Sequence, residues 1–192
     1  TPLIAAETIR LLHQAGVPAV ALQFVPGDGG VGGALVADVR VAGVAFTGST
    51  EVGHKINRAL AAKGGPIVPL IAETGGINPM IVDATALPEQ VSDDVVTSAF
   101  RSAGQRCSAL RVLFLQKEIA ERIIALLAGA MAELRVGDPA LLSTDIGPLI
   151  DQAACKTLAQ HAERLHSAGR LIYQTPLPAD LAPGCFFAPQ AF

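Results

Sequence analysis

The chain has 192 residues, of which 51% are hydrophobic and 16% are charged. This composition is sufficient for a buried core and argues against intrinsic disorder. The net charge is −3, with 14 basic and 17 acidic residues, and no lysine and arginine cluster is interleaved with aromatic residues. We therefore expect no nucleic-acid partner.

Strands and helices alternate along the chain. We predict helices over residues 3–15, about 33–37, from 47–50 to 63, from 88 to about 99, 119–134 and 151–168. We predict strands over residues 19–25, 41–46, 67–72, 80–83, 111–116 and 171–174. This alternation is typical of an α/β fold with parallel sheets and right-handed crossovers.

Two of the predicted helices carry apolar residues on one face. Val52, Ile56 and Leu60 recur at four-residue spacing, and so do Val91, Val95 and Ala99. Such spacing predicts a buried stripe on each helix.

A strand, a glycine and a helix start follow one another at Phe46-Thr47-Gly48-Ser49-Thr50. Free N–H groups and the positive end of a helix dipole favour a phosphate at such a turn. Ser49 could add a hydroxyl donor, but serine is also an ordinary N-cap residue, and the two interpretations weigh about evenly.

Cys107 is the candidate nucleophile, in Ser102-Ala103-Gly104-Gln105-Arg106-Cys107-Ser108. A thiol reacts as a thiolate, which a nearby cation or backbone N–H groups stabilise. Arg106 is adjacent, although its side chain can point elsewhere. From the local sequence alone, a structural cysteine is the commoner alternative.

Glu73 is the candidate base, because it follows the apolar run 67–71 at the carboxyl end of a predicted strand. Ligands usually bind there in open α/β sheets. Partial burial would raise the pKa of its carboxyl and make it a usable base. The alternative is a carboxylate that is hydrogen-bonded to a neighbouring loop.

The remaining cysteines and histidines suggest no further site. Cys107, Cys155 and Cys185 are odd in number and far apart in sequence, which predicts free thiols in a reducing, cytoplasmic compartment. Cys155 and Cys185 are interpreted as core or incidental residues. The four histidines share no ligand spacing, so we expect no metal.

Taken together, four segments in order resemble the aldehyde dehydrogenase superfamily. They are residues 46–53, Glu73-Thr74-Gly75-Gly76-Ile77-Asn78-Pro79, Gly104-Gln105-Arg106-Cys107, and Val136-Gly137-Asp138-Pro139 with Gly147-Pro148-Leu149-Ile150. Residues 66–78 and 101–111 further resemble the Δ1-pyrroline-5-carboxylate dehydrogenase modules of bifunctional bacterial proline-utilisation flavoenzymes. This resemblance favours a catalytic Cys107 over a structural one.

The resemblance implies NAD-dependent oxidation of L-glutamate γ-semialdehyde to glutamate in proline catabolism. Cys107 would form a thiohemiacetal and then a thioester, and Glu73 would activate the hydrolytic water. The resemblance also implies cofactor contacts, which we expect at Thr47, Gly48, Ser49, Val52, Thr74, Gly75, Gly29 and Gly33.

The resemblance further implies an incomplete α/β parallel-sheet aldehyde dehydrogenase fold. We expect residues 1–75 to be part of a Rossmann-like NAD-binding domain and residues 76–192 to be part of the catalytic, nucleophile-bearing domain. Thr1 and Pro2 resemble the tail of a cofactor-ribose loop. An oxyanion asparagine, the substrate's carboxylate anchor and the oligomerisation strand would lie outside these residues, so we expect the isolated chain to be inactive or nearly so.

The resemblance also predicts a parent chain with an FAD-containing proline dehydrogenase module that forms homo-oligomers. NAD rather than NADP is implied by the resemblance alone. Three alternatives stay open: a different small-molecule aldehyde substrate, transfer of the acyl group to coenzyme A, and a non-catalytic folded or binding module. Glu73 argues against the transfer, because a hydrolytic base would destroy the thioester.

Overall fold

A computed structural model describes residues 2–181 and 183–192. Thr1, which we expected to belong to a ribose loop, lies outside them. The helices are α1 (Pro2–Gln14), α2 (Gly29–Ala37), α3 (Thr50–Ala61), α4 (Pro88–Ala99), α5 (Lys117–Ala132) and α6 (Gln152–Ala168). The strands are β1 (Val44–Gly48), β2 (Leu70–Thr74), β3 (Asn78–Val82), β4 (Leu110–Leu115), β5 (Tyr173–Gln174) and β6 (Gln190–Ala191).

The chain forms two compact units that divide between Thr74 and Gly75. Unit 1 contains the parallel pair β1–β2, and unit 2 contains the parallel pair β3–β4. These pairs confirm the predicted α/β class with parallel sheets. Unit 2 also contains a short antiparallel pair, β5–β6, which we did not predict. The assignment of residues 1–75 and 76–192 to a cofactor domain and a catalytic domain stays a prediction.

The predicted strand at 19–25 is wrong. Val20 is 89% exposed and Val25 is 53% exposed. A strand needs a neighbour to receive its backbone hydrogen bonds, and no other strand in the described ranges pairs with this segment. Instead, the N–H of Ala21 turns back to the carbonyl of Pro18 at 2.9 Å.

Three element boundaries in unit 1 differ from prediction. Helix α2 begins at Gly29 rather than about residue 33, because Asp28 Oδ1 caps it by accepting from the N–H groups of Gly30 (2.9 Å) and Val31 (3.4 Å). Strands β1 and β2 both begin about three residues after their predicted starts. Strand β2 starts just after Pro69, which has no N–H to donate to a ladder.

The hydrophobic core lies in unit 2. Helices α4 and α5 pack on one face of β3–β4, and the predicted stripe residues Val91 and Val95 are buried there. The other members of this cluster are Val82, Leu110, Ile123, Leu127 and Met131. The buried hydroxyl of Thr175 donates to the Met131 carbonyl at 3.0 Å and anchors the segment after β5 to the end of α5.

Unit 1 buries far less. Leu60 on α3 is its one buried large hydrophobic side chain within the described residues, and no residue of α1 or α2 is buried. A charged side chain partly compensates for this small buried core. Lys63 Nζ donates to the carbonyls of Asp38 (2.7 Å), Val41 (3.3 Å) and Val36 (3.4 Å). These hydrogen bonds satisfy carbonyls at the end of α2 and hold the loop that follows it.

Candidate active site

The carboxyl ends of β1 and β2 bring the predicted phosphate turn beside the predicted base. In this parallel pair Thr47 lies opposite Glu73, and Gly48 lies opposite Thr74. The late strand boundaries produce this arrangement, because they place all four residues inside the strands. Unit 1 therefore presents Thr47, Gly48, Glu73 and Thr74 at one sheet end, where ligands bind in α/β proteins.

Glu73 is exposed rather than partly buried as we expected. Strand β2 has a single neighbouring strand in the part of the chain that the structure describes, so this sheet end is open to solvent. The partial burial that was expected to make Glu73 a usable base is therefore not observed, and the assignment of Glu73 rests on its motif alone. Its role as a base stays a prediction.

The N-terminus of α3 shows how Ser49 is used. Ser49 has extended backbone (φ −73°, ψ 147°), and its Oγ accepts from the N–H of Val52 at 3.2 Å. The N-cap interpretation is therefore observed. The Ser49 hydroxyl hydrogen stays free to donate, and the first N–H groups of any helix lack intrahelical acceptors. The same turn can thus cap its helix and accept a phosphate.

Gly48 fits a tight turn. A Cβ atom at this position would lie 2.4 Å from Cζ of Phe46, so any larger residue must displace that ring. The neighbouring first-turn residue Glu51 forms an ion pair with Lys55 at 2.6 Å. The hydrogen bond from Lys55 holds the pKa of the Glu51 carboxyl below its usual value. Glu51 is therefore a solvated helix-face charge.

The other predicted cofactor residues lie in open surroundings. A Cβ at Gly29, Gly33 or Gly75 would have no neighbour within 4 Å among the described residues. Val52 is 39% exposed. Gly29 and Gly33 lie on α2 in unit 1, which packs against α3. The structure thus leaves space beside them and forms no close-fitting pocket around them.

Cys107 lies in an exposed turn of unit 2. The N–H of Ala109 donates to the carbonyl of Arg106 at 3.1 Å and closes the turn around the cysteine. The side-chain amide of Asn78 then clamps it: Nδ2 donates to the carbonyls of Cys107 (2.8 Å) and Ala109 (2.9 Å). Asn78 starts β3 beside Leu110 of β4, so the predicted nucleophile is attached to the end of the β3–β4 pair.

A left-handed stretch precedes this turn. Ser102, Ala103 and Gly104 have φ of 57°, 52° and 65°. The conformation costs a non-glycine residue about 1–2 kcal/mol. Arg111 Nη2 stabilises it by donating to the Gly104 carbonyl at 2.6 Å. Strain of this kind persists where surrounding contacts determine the backbone, often at functional sites.

Gln105 connects the nucleophile loop to the fourth family motif. Its Nε2 donates to the Pro148 carbonyl at 3.2 Å, and its Oε1 accepts from the N–H of Ile150 at 2.8 Å. Residues 147–150 therefore hold the loop that carries Cys107 through these two hydrogen bonds.

Arg106 does not serve as the cation beside the thiol. Its Nη2 donates to the carbonyls of Thr97 (2.8 Å) and Ser98 (3.3 Å) at the end of α4. The positive charge compensates the negative end of that helix.

Three positioning residues were not assigned from the sequence: Asn78, Gln105 and Arg111. Asn78 and Gln105 lie inside motifs that resemble those of the family, and this membership is the sequence feature that could have identified them. The partners of Asn78 lie 29 and 31 residues away along the chain and those of Gln105 lie 43 and 45 residues away, so only the folded structure identifies these contacts.

Residues 2–181 and 183–192 lack two further features. No group of three or more histidine, cysteine, aspartate or glutamate side chains is placed to hold a metal ion. No helix there is long and apolar enough to cross a bilayer.

Comparison with known proteins identifies relatives along the whole chain. The model of the aldehyde dehydrogenase family matches residues 1–192. The bifunctional protein PutA of Escherichia coli (strain K12) is 56% identical over 179 residues, which are 91% of this chain and 14% of that protein. The chain thus spans about one seventh of the length of that relative.

Solved structures agree with this likeness. A crystal structure of proline utilization A from Bradyrhizobium japonicum is 60% identical, with a TM-score of 0.93 over 99% of this chain and 19% of that one. The 1-pyrroline-5-carboxylate dehydrogenase from Thermus, solved with bound NAD, is 31% identical, with a TM-score of 0.89 over 98% of this chain and 37% of that one.

Proposed function

The chain belongs to the aldehyde dehydrogenase family, and we propose that it carries the nucleophile and the base of an NAD-dependent aldehyde oxidation. The proposed substrate is L-glutamate γ-semialdehyde, which is oxidised to glutamate in proline catabolism. The names of the relatives from Bradyrhizobium japonicum and Thermus support this substrate. The clamp of Asn78 on the exposed Cys107 turn is the observation that carries the proposal.

Cys107 performs the first step. Its thiolate adds to the aldehyde carbon, so that a C–S bond forms and the carbonyl oxygen gains negative charge. Among the residues described, none accepts a hydrogen bond from the backbone N–H of Cys107. That N–H is available to donate to the developing oxyanion, which is the usual role of such a donor.

The N-terminus of α3 is the proposed cofactor-phosphate site. The Ser49 hydroxyl and the unpaired N–H groups of the first turn suit a pyrophosphate, and Gly48 lets it approach the backbone. By resemblance, Thr74 and Gly75 contact the nicotinamide end, while Gly29 and Gly33 flank the adenine. NAD⁺ held there would supply the acceptor for the hydride that leaves the thiohemiacetal carbon, so that the adduct on Cys107 becomes an acyl thioester.

Glu73 completes the cycle in this proposal. Its carboxylate accepts a proton from water as the water oxygen attacks the thioester carbonyl. The C–S bond breaks, glutamate leaves as the carboxylic acid, and the proton held by Glu73 passes to the Cys107 sulfur, which restores both side chains. Without this base the acyl group would persist on the cysteine.

Further proposals concern the parent protein. Since the chain spans 14% of the Escherichia coli relative, we propose that the 192 residues alone have little or no turnover. We also propose that they belong to a longer homo-oligomeric protein with an FAD-containing proline dehydrogenase module.

A chimera tests the catalytic proposal. The matching segment of Bradyrhizobium japonicum proline utilization A is replaced by this chain, and NADH formation is followed with NAD⁺ and glutamate semialdehyde. We expect turnover in the chimera and background signal in Cys107→Ala. Glu73→Gln should give at most one NADH per site and an acyl adduct on Cys107 visible by mass spectrometry. Cys155→Ala is the control and should keep full activity.

Three outcomes would contradict these proposals. Turnover in Cys107→Ala would overturn the nucleophile assignment. A chimera that folds and binds NAD⁺ but forms no NADH would overturn the proposal that this chain carries the nucleophile and the base. The isolated chain is assayed in parallel, and turnover by it would contradict the proposal that 192 residues are insufficient.

A further inference from the structure

Backbone carbonyls surround the ammonium group of Lys63, which lies just beyond α3. Nζ donates to the carbonyl oxygens of Asp38 at 2.7 Å, Val41 at 3.3 Å and Val36 at 3.4 Å. A lysine ammonium has three N–H donors and no acceptor, so these carbonyls use its full hydrogen-bonding capacity. The side chain is half-buried. We call the three carbonyls of Val36, Asp38 and Val41 the carbonyl cradle.

The carbonyl cradle forms where α2 ends. Val36 lies in the last turn of α2, and Asp38 is the C-cap residue. The N–H of Val41 donates to the Asp38 carbonyl at 3.1 Å, and Asp38 Oδ1 accepts from the N–H of Arg40 at 2.9 Å, which together order the turn. Carbonyls at the C-terminus of a helix carry partial negative charge, which a cation complements. The cradle is therefore a site for a cationic N–H donor, and Lys63 fills it.

Lys63 connects the three elements that carry most of the proposed cofactor contacts of unit 1. It follows α3, whose first turn is the proposed phosphate site. Val36 belongs to α2, the helix of the proposed adenine contacts, and Val41 leads into β1, which ends at the phosphate turn. Helix α3 has 12 residues and is about 18 Å long, so the ammonium does not reach a phosphate at Ser49. Lys63 can act on the cofactor only through the backbone that it holds.

Unit 1 has few other contacts that fix these segments. Leu60 is its one buried large hydrophobic side chain within the described residues, and no residue of α2 is buried. Segments with little buried apolar surface open at low free energy, so a hydrogen-bonded lysine has a large share in keeping them ordered. When only a fraction of the molecules is in the binding-competent state, the apparent affinity for a ligand falls by that fraction.

We propose that Lys63 is a positioning residue for the dinucleotide, because the carbonyl cradle fixes α2 and the entry to β1 in the arrangement that binds NAD⁺. This role rests on the proposed function, since it requires a cofactor at the N-terminus of α3. Without the ammonium, the cradle loses its donor, and binding of the cofactor has to order these segments. The affinity for NAD⁺ then falls, whereas the chemical step at Cys107 in unit 2 proceeds as before once the cofactor is bound.

The first experiment measures the Kd of NAD⁺ by calorimetry in the chimera with Bradyrhizobium japonicum proline utilization A. Lys63→Ala should raise this Kd about tenfold, the size of effect expected when a charge-assisted hydrogen bond orders the binding state. The KM for NAD⁺ should rise in parallel while kcat stays unchanged. Lys156→Met, which alters an exposed lysine of α6 in unit 2, is the matched control and should leave all three constants unchanged.

Chemical rescue separates the cradle from a general effect of charge. Lys63→Ala deletes three carbons and the ammonium beyond Cβ, and n-propylammonium replaces that fragment. Added n-propylammonium should restore most of the affinity for NAD⁺, whereas propyltrimethylammonium, which has the same charge but no N–H donor, should not. Lys63→Met leaves no comparable space for the amine, so it should bind NAD⁺ weakly with or without the amine. The aldehyde is omitted, because it would form an imine with the amine.

Hydrogen exchange of the 192-residue chain provides a readout that needs no cofactor. Lys63→Ala should speed the exchange of amides in residues 38–48, and n-propylammonium should slow it again. Exchange in β3 and β4 should not change, because these strands belong to unit 2.

The outcomes distinguish this role from the proposed function. A chimera that keeps Lys63 but binds no NAD⁺ would overturn the proposed function, and the cofactor role of Lys63 with it. If that chimera binds NAD⁺, an unchanged Kd in Lys63→Ala and Lys63→Met would overturn the role of Lys63 alone. A lowered kcat with an unchanged KM for NAD⁺, or equal rescue by propyltrimethylammonium, would overturn it as well.

Discussion

The side-chain amide of Asn78 donates to the backbone carbonyl of Cys107 at 2.8 Å and to that of Ala109 at 2.9 Å. One side chain thus holds both ends of the segment that carries the candidate nucleophile. Asn78 also begins a strand beside Leu110, so the clamp links the turn directly to the β3–β4 ladder. The position of the thiol therefore depends on a residue that has no reactive group.

Replacing Asn78 by alanine should loosen the Cys107 turn. Two hydrogen bonds are lost, which corresponds to about 2 kcal/mol of unfolding free energy. Urea denaturation measures the loss. The alkylation rate of Cys107 should change at the same time, since the turn no longer holds one conformation. Asn57→Ala on the exposed face of α3 is the matched control and should stabilise the chain slightly, by up to about 0.7 kcal/mol, without changing the alkylation rate. Equal stability of the two variants would show that the clamp contributes nothing.

Gly104 should tolerate no side chain. A Cβ there would lie 2.8 Å from the Ala99 carbonyl oxygen, and its φ of +65° disfavours other residues. We expect Gly104→Ala to destabilise the protein by roughly 1–2 kcal/mol or more. Gly129→Ala is the control, because its Cβ would meet open space in α5. That change should stabilise the helix by about 0.5–1 kcal/mol. Opposite signs in thermal melts are the expected result, and a stabilising Gly104→Ala would contradict it.

The ion pair between α4 and α5 predicts a pH dependence. Arg122 Nη2 donates to Glu89 Oε1 at 2.7 Å. A backbone hydrogen bond at Glu89 and then the Arg122 contact hold the pKa of the Glu89 carboxyl below its ordinary value of 4.5. Because the pKa of Glu89 is lower in the folded state, this stabilisation is present at neutral pH. It is lost as the pH falls through the lowered folded-state pKa.

Arg122→Met should therefore lower the melting temperature slightly near neutral pH, since both side chains are exposed. The difference from the parent chain should shrink on acidification to about pH 2 and in high salt. Arg170→Met is the control, because Arg170 has no ion pair among the residues described. A difference that is the same at all pH values would place the effect in packing by the arginine stem.

The two units should differ in local stability. The buried cluster around Ile123 and Met131 belongs to unit 2, while unit 1 buries one large hydrophobic side chain, Leu60, within the described residues. Segments with few buried contacts open at low free energy. Hydrogen exchange of the 192-residue chain should thus be fast through α1 and α2 and slowest in β3, β4 and α5. Comparable protection in both units would contradict this.

Much of the fold could be predicted from local patterns. The spacing of Val91 and Val95 identified the buried face of α4, and the alternation of strands and helices identified the parallel α/β class. These predictions succeed because helix periodicity and strand burial are encoded within a few neighbouring residues. The run at 19–25 failed for the opposite reason, since its residues are apolar but a strand forms only when another strand receives its hydrogen bonds.

For the site, the sequence by itself predicted Cys107 and Glu73 as the reactive side chains, because they stand in motifs that resemble the family's in residue type and order, and their roles stay predictions. Tertiary structure decided which groups position them. Asn78 reaches Cys107 across 29 residues, and the register of β1 and β2 sets Thr47 opposite Glu73. Such contacts depend on the path of the backbone between distant segments, and that path is set by the packing of the whole unit.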